Sequence, residues 1–178
     1  MKHGRKLVGD LNATLEQGVS LLEALTDDQY TAALPKMGAS AIGAHYRHHL
    51  DHVRSVVIAL STGCVDYDDR VRGTDIEFDR GVAIHATREL MDRLSDLSEA
   101  KLAQSMLVQQ RSCASGEARP ESPTTLMREL AFLQSHAVHH YAVMGLIARL
   151  HGVCPPKCFG VMPSTLNYEA GIGVAATA

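Results

Sequence analysis

The chain has 178 residues, 46 % hydrophobic and 21 % charged, which fits one globular domain able to bury a core without disulfides or a structural metal. The formal net charge is -3, from 17 Lys and Arg against 20 Asp and Glu, so the basic excess of a nucleic-acid binder is missing. No apolar run approaches the roughly 18 residues of a membrane span, and the first residues lead into an amphipathic segment rather than an apolar signal core; a cytoplasmic protein with neither nucleic acid nor membrane as partner is expected.

Leu7, Val8, Leu11, Leu15, Val19, Leu22 and Leu25 recur at three- and four-residue steps, which predicts a first helix over about 7–25 with one buried stripe. Pro35 then interrupts the chain, Ser40 is a candidate N-cap, and Ile42 to Leu60 reads as a second helix stopping near Gly63. The charged stretch from Gly63 to Phe78 reads as a surface loop, too charged for a buried strand. A third helix is predicted from Thr74 or Asp75 to Ser98, carried by Ile76, Val82, Ile84, Leu90, Leu94 and Leu97.

Leu102 to Gln110 fits either an extended stretch or a helical continuation, and Ser112 to Pro123, rich in Ser, Gly and Pro, reads as a flexible loop. Thr124 or Thr125 is placed to cap a fourth helix, whose stripe of Leu126, Leu130, Leu133, Ala137, Met144, Ile147 and Leu150 ends at Gly152. Beyond Cys154-Pro155-Pro156 the chain reads as irregular. The expectation is an all-α four-helix bundle over residues 1–168 with a flexible tail over 169–178, a fold that builds its sites on facing helices.

Seven of the ten histidines fall in two short windows, while the whole chain holds only eight aromatic residues and no Trp. On the second predicted helix, His45, His48 and His52 are spaced by three and then four residues and share one face, with His49 leaning aside. On the fourth, His136 and His140 are four apart, Glu129 lies two turns earlier on the same stripe, and His139 is rotated away by about 100°. Two imidazoles at i and i+4 can meet one transition-metal ion, and a third from a facing helix leaves coordination positions open. A lone pair at this spacing is a weak signal. Two clusters on separate helices of one bundle weigh more, because buried imidazoles without partners cost about 1–3 kcal/mol each.

The patterns Gly43-Ala-His45-Tyr-Arg47-His48-His49-Leu-Asp51-His52 and Glu129-Leu-Ala-Phe-Leu-Gln-Ser-His136-Ala-Val-His139-His140 resemble the DinB/YfiT-like superfamily of metal-binding four-helix bundles. The resemblance runs from the first helix to about Tyr168. It implies His48, three residues before Asp51, together with His136 and His140 as ligands of a divalent transition metal such as nickel, zinc, iron or manganese; among His45, His48 and His52 the spacing alone does not choose. The extra histidines depart from the family's simplest pattern and leave room for a second metal. The resemblance also implies a small-molecule substrate, thiol-dependent transfer or hydrolysis with a low-molecular-weight thiol or water as nucleophile, and pairing of bundles into a homodimer.

Around such a centre, Asp51 and Glu129 are placed to accept the free ring N–H of a ligating imidazole. His52 and His45 are the candidate catalytic groups, able to move protons near neutral pH. Arg47, Tyr67, Arg70 and Arg72 are candidates for orienting an anionic substrate or thiol, against a plain reading as surface charge. Cys154 and Cys158 are i, i+4 but separated by two prolines, and no second pair completes a four-cysteine site. The motifs HExxH, GxSxG, the phosphate-binding Gly-Lys-Ser/Thr loop and the Glu-x-x-His of ferritin-like di-iron bundles are missing. The alternative to an enzyme is a metal-binding carrier, hemerythrin-like, that uses the surplus histidines to hold iron or oxygen, or a structural bundle whose imidazoles face solvent.

Overall fold

The computed structural model describes residues 2–35, 38, 40–111 and 119–171. The first helix, α1 (Lys2–Ala24), starts a turn earlier than its apolar stripe, and Leu11, Leu15, Val19 and Leu22 on that stripe are fully buried. A short helix the periodicity did not announce follows, α2 (Asp27–Thr31), closed by a capping box in which Thr26 and Gln29 satisfy each other's backbone N–H. The next helix, α3 (Ile42–Thr62), begins at Ala41 with no side-chain cap, so Ser40 does not take the capping role its residue type suggests. Gly63 ends α3 in the left-handed region at φ 80, where a side chain would be strained.

The charged stretch after Gly63 is where the sequence reading is corrected. Cys64–Asp66 forms strand β1 with Val65 fully buried, and Tyr67 beside it is buried as well. Its charges point away while Val65 and Tyr67 face the bundle, the alternation a short edge strand permits. The third predicted helix is two pieces, α4 (Asp75–Phe78) and α5 (Arg80–Ser95), and a further short helix, α6 (Glu99–Leu102), follows beyond its expected end at Ser98. Asp79 adopts an extended backbone and accepts from Val82 N at 3.0 Å, capping α5 and breaking the helix before it. The break resets the register, so Ala83, Thr87, Leu90 and Leu94 face inward, while Val82 is exposed and Ile84 only half-buried.

Of the two options for Leu102 to Gln110 the extended one holds: Ser105–Gln109 is β2. Residues 112–118 of the expected loop lie outside the described residues, but Glu121–Thr125 forms β3. The sheet order is β1-β2-β3, with β1 and β2 parallel (Val65 opposite Val108) and β2 and β3 antiparallel (Met106 opposite Thr124). Thr125 caps α7 (Leu126–Leu150), accepting from Arg128 N at 3.2 Å. The stripe of α7 is buried to Ile147, whereas Leu150 is 55 % exposed. Beyond it the chain is not all irregular: Phe159 is buried, its ring stacked on Tyr141 at 4.6 Å, and Pro163–Glu169 forms α8. Most of the expected tail lies outside the described residues.

The four long helices α1, α3, α5 and α7 close into a ring in which α7 touches α1 and α3, and α5 touches the same two from the other side. The fold is an all-α helical bundle with a small three-stranded sheet at one end. Among the described residues no helix is long and apolar enough to cross a membrane.

Candidate metal centre

The histidine stripes of α3 and α7 meet because these two helices pack directly on each other. His48 of α3 and His136 and His140 of α7 each offer one ligand atom such that all three atoms lie within 4.8 Å of one another. The ring centroids are 5.1 Å apart for His48 and His136, 4.7 Å for His48 and His140, and 4.5 Å for His136 and His140. Such a group could hold a metal ion. His52 stacks on His136 at 4.0 Å and stands edge-on to His48 at 4.6 Å, and His45 lies 5.7 Å from His140. His49 turns into the core, 1 % exposed, with Nε2 at 3.4 Å from the Tyr141 hydroxyl, while His139 faces solvent.

The three convergent imidazoles are neutral at physiological pH. Burial comes first in each case, followed by the neighbouring imidazoles, and together they hold His48 down to about 3, His136 to about 2 and His140 to about 4, against an ordinary 6.5. Burial also lowers His45 and His52. Nδ1 of His136 and Nδ1 of His140 are buried with no hydrogen-bond partner. Neutral rings with unpartnered buried nitrogens suit a divalent transition ion, since imidazole must be unprotonated to ligate.

Hydrogen bonds distinguish the two rivals on α3. His52 Nδ1 donates to the His48 carbonyl oxygen at 3.0 Å, which leaves its Nε2 as the lone pair. His48 Nδ1 accepts from Arg70 Nη1 at 2.7 Å.

The two carboxylates expected beside the imidazoles are engaged elsewhere. Asp51 accepts from Arg47 Nη1 at 2.6 Å, and Arg47 Nε donates to Glu77 at 2.9 Å; a guanidinium outcompetes a neutral imidazole N–H for a carboxylate. Gly43 allows this arrangement, because a Cβ there would run into the Glu77 backbone carbonyl where α4 crosses α3. Glu129, fully buried, accepts from the Tyr67 hydroxyl at 2.6 Å, Thr124 Oγ1 at 2.5 Å and Arg128 Nη1 at 2.9 Å, and from no imidazole. Burial, then the bond to Glu129, pushes the Tyr67 hydroxyl well up, so it stays a donor.

Of the candidates for orienting a substrate, Arg47 is thus clamped between two carboxylates, Tyr67 is buried on Glu129, Arg70 is on His48, and Arg72 is exposed in the loop. The Tyr67 ring stacks on His52 at 4.9 Å and meets Phe132 at 5.1 Å, while Phe132 stacks on His136 at 5.6 Å. These two aromatic rings separate the histidines from a cavity of about 500 Å³, lined also by Val108, Ser122, Thr124 and Arg128. Sequence reading missed Phe132, although it lies four residues before His136 on the same stripe. It also missed Glu77 and Thr124 as partners, for which local spacing offered no signal.

No family model matches the chain. A segment of 104 residues, 58 % of the chain, is 29 % identical to FK506-binding protein 5 of Rhizopus delemar, and the match spans only 27 % of that protein's length. Among solved structures the chain is similar to a DinB-like protein, YjoA, from Bacillus subtilis, with a TM-score of 0.64 and 18 % identity over 88 % of this chain and 99 % of that one. At the level of fold, the resemblance read from the histidine patterns holds: the chain has the DinB/YfiT-like fold.

Proposed function

We propose that the protein is a metal-dependent enzyme in which His48, His136 and His140 hold one divalent transition ion for hydrolysis or thiol-dependent transfer on a small molecule. The observation that carries this reading is the convergence of three neutral imidazoles from two helices within 4.8 Å, two of them with buried nitrogens that no protein group satisfies. When bound, such an ion supplies Lewis acidity that lowers the pKa of a coordinated water or low-molecular-weight thiol.

The chain's own residues supply the rest. His52, its Nδ1–H tied to the His48 carbonyl, presents Nε2 as a proton acceptor next to His136. His45, near His140, is the second group able to take a proton. Tyr67 and Phe132 form an apolar wall against His52 and His136 that shields the imidazoles on the side of the neighbouring cavity. Glu129 fixes Tyr67 in that wall by accepting its hydroxyl. A two-metal carrier would need carboxylates facing the ions, and Asp51 and Glu129 are both held by other donors, so the single-ion reading is preferred.

The test is elemental analysis of untagged protein beside the His140→Ala and His52→Gln variants. About one transition metal per chain, lost in His140→Ala and kept in His52→Gln, is expected; metal-free protein with no affinity for zinc, nickel, iron or manganese sinks the reading. Turnover of thiol-transfer or ester and amide substrates by the loaded protein, reduced in His52→Gln, then separates enzyme from carrier.

A further inference from the structure

Arg70 lies in the segment between β1 and α4, and its contact with His48 decides more than local packing. A guanidinium carries donors and no acceptor, so the 2.7 Å bond from Arg70 Nη1 makes His48 Nδ1 the lone-pair nitrogen. A neutral His48 then keeps its hydrogen on Nε2, and the ring has no second lone pair to offer. Coordination through Nδ1 needs the place the guanidinium holds. Coordination through Nε2 needs the hydrogen moved to Nδ1, where it would point at another donor. Either route breaks the Arg70 bond.

His136 and His140 differ, since Nδ1 of each is buried without any partner to displace. The other nearby guanidinium, that of Arg47, is fixed by Asp51 and Glu77. Among the described residues no carboxylate lies within ion-pair distance of Arg70, so His48 is its anchor. The segment itself is tied down close by: Asp66 Oδ1 accepts from the backbone N–H of Asp68 at 2.9 Å and of Asp69 at 3.1 Å, and Arg70 N donates to Asp68 O at 3.0 Å. A swing of the Arg70 side chain therefore requires no movement of the bundle.

We propose that Arg70 competes with the metal for His48: its guanidinium donates to the His48 lone pair and is displaced when a divalent ion joins His48, His136 and His140. This rests on the metal-centre reading above. It gives Arg70 a definite cost to metal loading: the charge-assisted hydrogen bond must break before the third ligand is delivered.

The experiment is a zinc titration of untagged, metal-stripped protein against a chromophoric chelator, comparing the natural chain with Arg70→Met, His48→Ala, His52→Ala and His136→Ala. Arg70→Met keeps the apolar stem and removes the donors, and it is expected to bind zinc about ten-fold more tightly. Unchanged or weaker zinc binding by Arg70→Met, with binding lost in His136→Ala, overturns the proposal and leaves the metal centre standing. Loss in His52→Ala but not in His48→Ala does the same, because an ion on His52 has no need to displace Arg70. No zinc binding by any of the proteins overturns both.

Discussion

The α1 stripe and the facing stripes of α3 and α7 follow the same three- and four-residue period and point into the same bundle, yet they contribute different things. Leu11, Leu15, Val19 and Leu22 need only to leave water, and each is fully buried. His48, His52, His136 and His140 bring ring nitrogens that must be satisfied, and the protein satisfies some of them: Arg70 serves His48 and the His48 carbonyl serves His52, while Nδ1 of His136 and of His140 are left over. The hydrocarbon stripe holds the fold, and the imidazole stripe spends part of that stability on unsatisfied groups, a pattern common at functional sites.

Variants on each side can break this division. His136→Ala should remove metal binding altogether while leaving the thermal transition of the metal-free protein within a few degrees, as read by metal analysis and melting curves; collapse of the fold would mean that the imidazoles are structural. Leu15→Ala should do the opposite, costing about 2–5 kcal/mol of stability in denaturant titration while the folded fraction keeps its metal affinity.

Glu129→Gln should fall between, costing about 1–3 kcal/mol, because the ion pair with Arg128 is lost and three donors converge on a weaker acceptor. A stability change near zero would mean the triad of donors is not formed in solution.

The pH dependence tests the imidazole side alone. His48, His49, His136 and His140 are held at about 3, 3, 2 and 4, below the 6.5 of the unfolded chain. As pH falls below about 6.5 the unfolded chain takes up protons that the folded one refuses, so stability is full above that pH and declines toward pH 4. The Tm of metal-free protein should be several degrees lower at pH 5 than at pH 7.5. His49→Gln, which touches none of the proposed ligands' hydrogen bonds, should narrow that gap.

Much of the candidate site was legible before any coordinates, because helical spacing is a strict geometric rule. The i, i+4 relation of His136 and His140 and the stripe of His45, His48 and His52 follow from 3.6 residues per turn. What that rule cannot give is the competition among donors. Asp51 looked available to an imidazole because it neighbours His48 in sequence, but Arg47, on the same helix face at i−4, holds it. Glu129 sits on the His136 stripe, yet its partner Tyr67 arrives from the segment after β1, which reads as a surface loop, and Thr124 from β3, where it reads as a helix cap.

The sequence by itself determined the bundle class, the helices holding the two histidine clusters and most of the apolar faces, since these depend on local periodicity and on the free energy of burying side chains. Only the tertiary structure decided which imidazoles converge and that Arg70 closes on His48. Those outcomes depend on contacts between residues far apart in the chain, such as the 22 positions from His48 to Arg70 or the 62 from Tyr67 to Glu129, where no spacing rule operates and the strongest available donor takes the acceptor.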